Sequence, residues 1–191
     1  MTEYGIKIKN ALDAIRQMHS DARKLLSDCD GTIGGNSIYG NTVTRELTRS
    51  IHGDNYMAES LYRYYDKQDD EKQETFGLVE GLNIYFFTKE DGIEDEPLLI
   101  ASQIKYNLPS GKTLKDQNNE WDIWFAYFKW CEERTSDVLT PTPDADGRIQ
   151  WIKLISIPLF EVTGMSAVVK LMDRLRNTAP VANESNGDPT V

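Results

Sequence analysis

The sequence predicts an α+β fold, in which a mostly antiparallel sheet packs against an N-terminal amphipathic helix, a Trp-rich helix and a C-terminal helix. Three patterns indicate this class. Apolar residues recur at helical spacing near both ends of the chain, and a segment after residue 119 is densely aromatic. Between them lie apolar segments rich in β-branched and aromatic residues, which are typical of strands.

Residues 78–88 and 98–106 predict two adjacent antiparallel strands. An acidic loop containing Gly92 and Pro97 separates them, and such residues are common in strand connections. Because side chains alternate across a strand, the first segment is apolar on both faces and should lie centrally in the sheet. A third strand is predicted at residues 149–157, just before Pro158.

Three- and four-residue spacing of apolar side chains predicts helices at residues 6–27, 120–134 and 165–176. Two further short helices are predicted at residues 41–51 and 56–65. A single globular domain should cover residues 1–177, and the polar residues 178–191 form a predicted disordered tail. The apolar stripe of the first helix consists of Ile8, Leu12, Ile15, Ala22 and Leu26, with His19 falling on the same stripe as a partly buried structural residue.

Composition narrows the range of functions. The 191 residues carry a formal net charge of −10, which disfavours nucleic acids and anionic membranes as partners. No apolar segment approaches the ~20 residues that span a bilayer, and the first residues lack the apolar region of a secretory signal. A cytoplasmic protein is therefore expected, and Cys29 and Cys131 are expected to be free thiols.

One short motif is a candidate site for phosphoryl transfer. Residues 28–33 read Asp-Cys-Asp-Gly-Thr-Ile, which resembles the nucleophile motif of haloacid dehalogenase-type phosphatases. The resemblance implies that Asp28 attacks a phosphoryl group, that Asp30 acts as acid and base, and that both bind Mg²⁺. In that family the motif follows a buried strand, so the hypothesis requires a strand ending at Ser27, where the spacing of apolar residues predicts a helix.

Two other resemblances are incomplete. If Asp28 and Asp30 took the third and fifth positions of an EF-hand calcium loop, Leu26 and Ser37 would stand where that loop needs carboxylates. Gly111-Lys112-Thr113 resembles the end of a phosphate-binding P-loop, but Tyr106 stands in place of its first glycine. A helix-stopping turn and a surface turn explain the two segments.

The second predicted strand carries a further catalytic candidate. Gln103 and Lys105, with Asp91 and Asp95 upstream, resemble the D…(E/Q)xK pattern of PD-(D/E)xK nucleases. The resemblance implies that the acids and Gln103 hold Mg²⁺ and that Lys105 positions or activates the attacking water. Alternation places Gln103 and Lys105 on one face of the strand, as this chemistry requires.

None of these patterns forms a complete catalytic constellation. The leading functional hypothesis is therefore a non-enzymatic interaction or accessory protein without a cofactor, whose partner is another protein or a second copy of the chain. The abundance of aromatic residues supports it, since such residues are enriched at protein interfaces. The alternatives are the nuclease, in intact or degenerate form, and the phosphatase, each with Mg²⁺.

Overall fold

The α+β prediction is confirmed by an antiparallel sheet with helices on both faces. The computed structural model describes residues 2–33, 41–50, 58–68, 75–86, 96–107, 119–131, 137–143 and 147–180. Within these ranges the sheet has five strands, arranged in the order in which they occur along the chain. They are β1 (Asn41–Ser50), β2 (Ala58–Gln68), β3 (Thr75–Tyr85), β4 (Leu98–Tyr106) and β5 (Ile149–Pro158).

The three predicted main helices are present, and the first is longer at both ends than the sequence predicted. They are α1 (Glu3–Thr32), α2 (Asn119–Phe125) and α3 (Met165–Asn177). A π-helical turn (Ala126–Trp130) continues α2, and a short 3-10 turn (Leu159–Glu161) links β5 to α3. The hydroxyl of Thr2 caps α1 by accepting a hydrogen bond from the backbone N–H of Gly5 at 3.2 Å.

The predicted pair of strands forms the middle of the sheet. β3 and β4 are antiparallel neighbours, with Leu78 opposite Lys105 and Tyr85 opposite Leu98. β3 is the third of the five strands and lies between β2 and β4, so the prediction that it is central is confirmed. Its position explains why it is apolar on both faces, since each face is covered by a helical layer.

Alternation of side chains along the strands divides the interior into two clusters. One face packs against α1 and α3 and contains Leu61, Tyr65, Leu82, Ile84, Leu99, Ala101 and Ile155. The opposite face packs against α2 and the π-helical turn and contains Tyr62, Tyr64, Val79, Tyr85, Ile100, Ile104, Ile152 and Leu154. α1 and α3 therefore share one side of the sheet, and α2 lies on the other.

The two predicted short helices at residues 41–51 and 56–65 are wrong. Those segments form β1 and β2, which pair with each other in antiparallel register, for example Leu47 opposite Tyr62. Apolar residues four positions apart fit one face of a helix. A strand that is apolar on both faces has apolar residues at the same four-residue spacing. The leucine and tyrosine side chains of β2 meet that condition, because Leu61 and Tyr65 lie in one cluster and Tyr62 and Tyr64 lie in the other.

α2 is fixed to the sheet by a buried polar contact. The Tyr106 hydroxyl donates a hydrogen bond of 2.7 Å to the Asp122 carboxylate, and Arg148 donates two more to the same carboxylate at 2.7 and 2.5 Å. Burial raises the pKa of Tyr106 well above its usual value, and the neighbouring Asp122 carboxylate raises it further. The tyrosine therefore remains a neutral donor, and the contact is structural.

Candidate interaction surface

The phosphatase-like motif lies in a helix, which contradicts the phosphatase hypothesis. Residues 28–32 form the last turns of α1, and no strand precedes them. Side chains two residues apart point to different sides of a helix, so Asp28 and Asp30 cannot hold one Mg²⁺ ion together. The expected turn after residue 27 is wrong for the same reason, because the helix continues through Gly31 and ends at Thr32.

Asp30 instead attaches the end of α1 to β2. Its carboxylate accepts a hydrogen bond of 3.0 Å from the Tyr65 hydroxyl and forms an ion pair of 3.0 Å with Arg63. Cys29 is fully buried beside this contact, and its thiol lies 3.6 Å from the sulfur of Met165 in α3. Burial, together with the charges of Asp30 and Asp28, raises the pKa of Cys29 to about 12, so this free thiol is not a nucleophile at neutral pH.

Gln103 lies beside the carboxylate of Glu80 in β3, which is buried. The side-chain amide of Gln103 donates a hydrogen bond of 2.7 Å to this carboxylate. Arg176 of α3 binds both oxygens of the same carboxylate, with Nε at 2.7 Å from one of them. Glu80 and Gln103 are each 5% exposed, so α3 covers the contact and leaves no open side for a metal ion or a phosphodiester. This arrangement fastens α3 to the sheet.

The rest of the nuclease-like pattern is not assembled in the described part of the chain. Lys105 is half-buried on the same face of β4 as Gln103, opposite Trp151 of β5. Asp91 and Asp95 lie outside the described residues, as do residues 109–113 of the P-loop-like segment. Among the residues that the structure describes, no three His, Cys, Asp or Glu side chains are grouped so that they could hold a metal ion.

The exposed N-terminal half of α1 offers a different kind of site. Apolar side chains follow one line along the whole helix at alternating spacings of four and three residues, interrupted only by His19. In its C-terminal half this line is buried against the sheet and α3, with Cys29 and Ile33 0% exposed. In its N-terminal half the same line is open, and Ile8 and Leu12 are each 48% exposed. We call this line the seam; it consists of Ile8, Leu12, Ile15, His19, Ala22, Leu26, Cys29 and Ile33.

His19 marks the point at which the seam becomes buried. Its ring stacks on Phe86 at a centroid distance of 4.0 Å, as expected for a partly buried structural residue. Burial lowers the pKa of His19, and the nearby Arg23 lowers it further. The imidazole is therefore held in its neutral form, which fits its place among apolar side chains.

A groove of about 710 Å³ runs along residues 14–28 of α1, between the helix and the body of the protein. The helix contributes Ala14, Met18 and Leu25 to one wall, and the loop and 3-10 turn around Pro97 and Phe160 form the other. Phe160 is 73% exposed and Tyr4, near the start of α1, is 75% exposed. The groove borders the seam at Ala22, and Asp21, Lys24 and Asp28 add charged groups to its lining.

Sequence reasoning placed Ile8 and Leu12 on the apolar stripe of the first helix, which it interpreted as core-packing with an oligomerisation helix as the alternative. The periodicity shows which side chains share a helix face, but it does not show how far the sheet extends beneath that face. Tyr4 and Phe160 were missed because each lies just outside a predicted element. Glu80 and Arg176 were missed because 96 residues separate them in sequence.

Comparison with models of known protein families, with curated proteins and with solved structures found no match. None of the described helices combines the length and the apolar composition needed to cross a membrane. These comparisons assign the chain to no family. Its fold is an α/β/α sandwich, and the candidate site on this fold is an apolar helical seam that is exposed at one end.

Proposed function

We propose that this chain is a non-enzymatic interaction protein working in the cytoplasm, and that it binds a protein partner through the exposed half of α1. The observation that carries the proposal is the change along the seam from 0% exposure at Cys29 to 48% exposure at Ile8. The same apolar face of α1 is thus packed into the protein's own core at one end and exposed at the other.

The energetics of the helix support a binding role. The four exposed side chains Tyr4, Ile8, Leu12 and Phe160 expose 48–75% of their surface. Their summed apolar area is on the order of 400 Å², the size of the largest apolar patch on a typical monomer, which is often functional. Among the described residues, the polar contacts of this half of α1 are local, such as the exposed ion pairs Lys7–Glu3 and Lys9–Asp13 at 3.0 and 2.8 Å. Such pairs contribute only about 0.3–0.5 kcal/mol each.

Site-specific photo-crosslinking in the source cells tests this function. A photoreactive phenylalanine analogue replaces Leu12 in one variant and Ile6 in a matched control variant. Ile6 is 46% exposed, nearly the same as Leu12, but lies off the seam. The proposal predicts that the probe at position 12 forms a discrete adduct with a polypeptide and that the probe at position 6 does not.

Two results would contradict the interaction function. The probe at position 12 could form no protein adduct, or the two positions could give the same set of adducts. An adduct of twice the mass of the chain identifies self-association, and any other discrete mass identifies a different protein. The proposed function survives either mass, so this experiment separates the function from the identity of the partner.

A further inference from the structure

We infer that the partner on the exposed seam is a second copy of this chain, bound antiparallel so that residues 4–15 of the two α1 helices pair. This inference rests on the proposed function and specifies its partner. The spacing of four and three residues along the seam is the pattern by which two helices pack side by side with interlocking side chains. The buried half of the seam already contacts another helix in the core, α3.

Only an antiparallel arrangement allows two copies to pair through this face. In a parallel pair the two seams would face each other along their whole length. Beyond His19, however, each seam is covered by its own sheet and α3, so the two protein bodies would occupy the same space. In an antiparallel pair the bodies lie at opposite ends of the paired segment, and only the exposed halves overlap.

The exposed half of the seam is complementary to itself in this orientation. With the two-fold axis next to residue 10, Ile8 of each copy lies opposite Leu12 of the other, and Ile15 lies opposite Gly5. The large Ile15 side chain thus faces a residue without a side chain, while the two central layers are formed by branched aliphatic residues. A face that matches itself in this way forms a closed pair with two-fold symmetry.

The groove receives the end of the second helix. In the same register, Tyr4 of the second copy lies next to Met18, which lines the groove together with Phe160. Tyr4 and Phe160 are the two most exposed large apolar side chains among the described residues, at 75% and 73%. The pairing brings them to the same place and removes both from water.

The charges near the axis leave one unfavourable contact. The two copies of Lys9 approach each other across the two-fold axis, but each is already bound by the Asp13 carboxylate of its own helix at 2.8 Å. Arg16 is the other basic residue on this flank, and it also lies near Asp13, at 3.6 Å. The repulsion is therefore partly neutralised within each copy.

The size of the interface is that of a weak contact between proteins. Two apolar faces of on the order of 400 Å² each bury about 800 Å² before the polar rim is counted, which is below the ~1,000 Å² that a stable, specific contact between proteins exceeds. A second copy should therefore bind reversibly, and the dimer should be populated at micromolar concentration rather than permanent.

Sedimentation velocity on the purified full chain tests the pairing between about 1 and about 100 µM. We expect the wild-type chain to shift from monomer to dimer over this range. Ile8→Glu should raise the dissociation constant at least about 100-fold, because symmetry places two carboxylates in the apolar layers. The matched control Ile6→Glu adds the same charge at a site off the seam with 46% exposure and should dimerise as the wild type does.

Disulfide cross-linking tests the orientation. Chains carrying Gly5→Cys and chains carrying Ile15→Cys should cross-link to each other when mixed. Neither should cross-link to itself, because in the antiparallel pair identical positions are displaced by roughly 15 Å along the axis. The unsubstituted chain reports any cross-linking through the native thiols.

The inference is overturned if the wild-type chain stays monomeric at the highest concentration, if Ile6→Glu and Ile8→Glu act alike, or if the single-cysteine chains cross-link to themselves. A monomeric chain that still gives a photo-adduct of another mass would remove the second copy and leave the interaction function intact. Circular dichroism of Ile8→Glu at monomeric concentration must match that of the wild type, which shows that loss of the dimer is not loss of the fold.

Discussion

Two glycines should respond to the same substitution with opposite signs. Gly31 lies in the last turn of α1, and a Cβ atom added there meets nothing within 4 Å. Glycine costs helical segments roughly 0.5–1 kcal/mol relative to alanine, because it has more backbone freedom to lose on folding. Gly31→Ala should therefore raise the free energy of unfolding by up to about 1 kcal/mol.

Gly81 is confined by its neighbours. A Cβ atom at this position would lie 2.5 Å from the Ser102 hydroxyl oxygen and 2.8 Å from a ring carbon of Tyr64. Both side chains are fully buried or nearly so, and the Tyr64 hydroxyl is held by a hydrogen bond of 2.9 Å from Asn83. Neither neighbour can move away freely, so Gly81→Ala should lower the free energy of unfolding by roughly 1–3 kcal/mol.

Urea unfolding followed by circular dichroism measures both changes against the wild type. The two variants differ from it by the same methyl group, so composition cannot explain a difference in sign. A loss of stability in Gly31→Ala would mean that Gly31 needs the freedom of a loop, as the phosphatase motif demands, and that α1 ends earlier. An unchanged Gly81→Ala would refute the close contact between β3, Tyr64 and Ser102.

Two further predictions concern buried charge. Arg176→Met should cost about 3–5 kcal/mol of unfolding free energy, because it removes the guanidinium that binds both oxygens of the buried Glu80 carboxylate. Arg174→Met is the matched control, and its exposed ion pair should contribute less than about 1 kcal/mol. His19→Gln should flatten the loss of stability that occurs as the pH falls through and below 6.5. The folded-state pKa of His19 lies below the ordinary value of 6.5, so the unfolded chain binds the proton first and stability falls as the pH drops through that value.

Each of these predictions has a result that would contradict it. If Arg176→Met and Arg174→Met cost the same, α3 is not fastened through Glu80. If Arg176→Met instead exposes a site where Mg²⁺ raises the midpoint of unfolding, Glu80 and Gln103 are metal ligands. If His19→Gln leaves the pH dependence unchanged, the imidazole is not held in its neutral form in the folded protein.

The class of fold and the central pair of strands could be predicted because their signals are local. β3 and β4 are continuous apolar segments with a turn between them, and the seam of α1 recurs over many turns. β1 and β2 could not be predicted in the same way, since Val43 and Leu47 satisfy a helical period as well as a strand. Pairing with a distant segment decides whether such a segment becomes a helix or a strand. The residues of the segment itself do not show which distant segment it pairs with.

The candidate site shows a second limit. Spacing placed Ile8, Leu12 and Ala22 on one face of a helix, and that is where they lie. It could not show that the sheet supports this face only from about Ala22 onward, because the extent of the sheet depends on the pairing of five strands. Motif matching likewise marked Asp28 and Gln103, whereas their chemistry depends on α1 remaining helical and on Arg176 covering Glu80.

Hydrogen exchange of the backbone amides in α1 tests the central claim most directly, because it reports on each half of the helix separately. In the purified chain, protection of residues 4–15 should increase with protein concentration over the range in which the dimer forms. Protection of residues 22–33 should stay high and constant, since the core supports that half at any concentration. Equal protection of both halves at every concentration would contradict the claim that the N-terminal half of α1 is an open binding surface filled by a second copy.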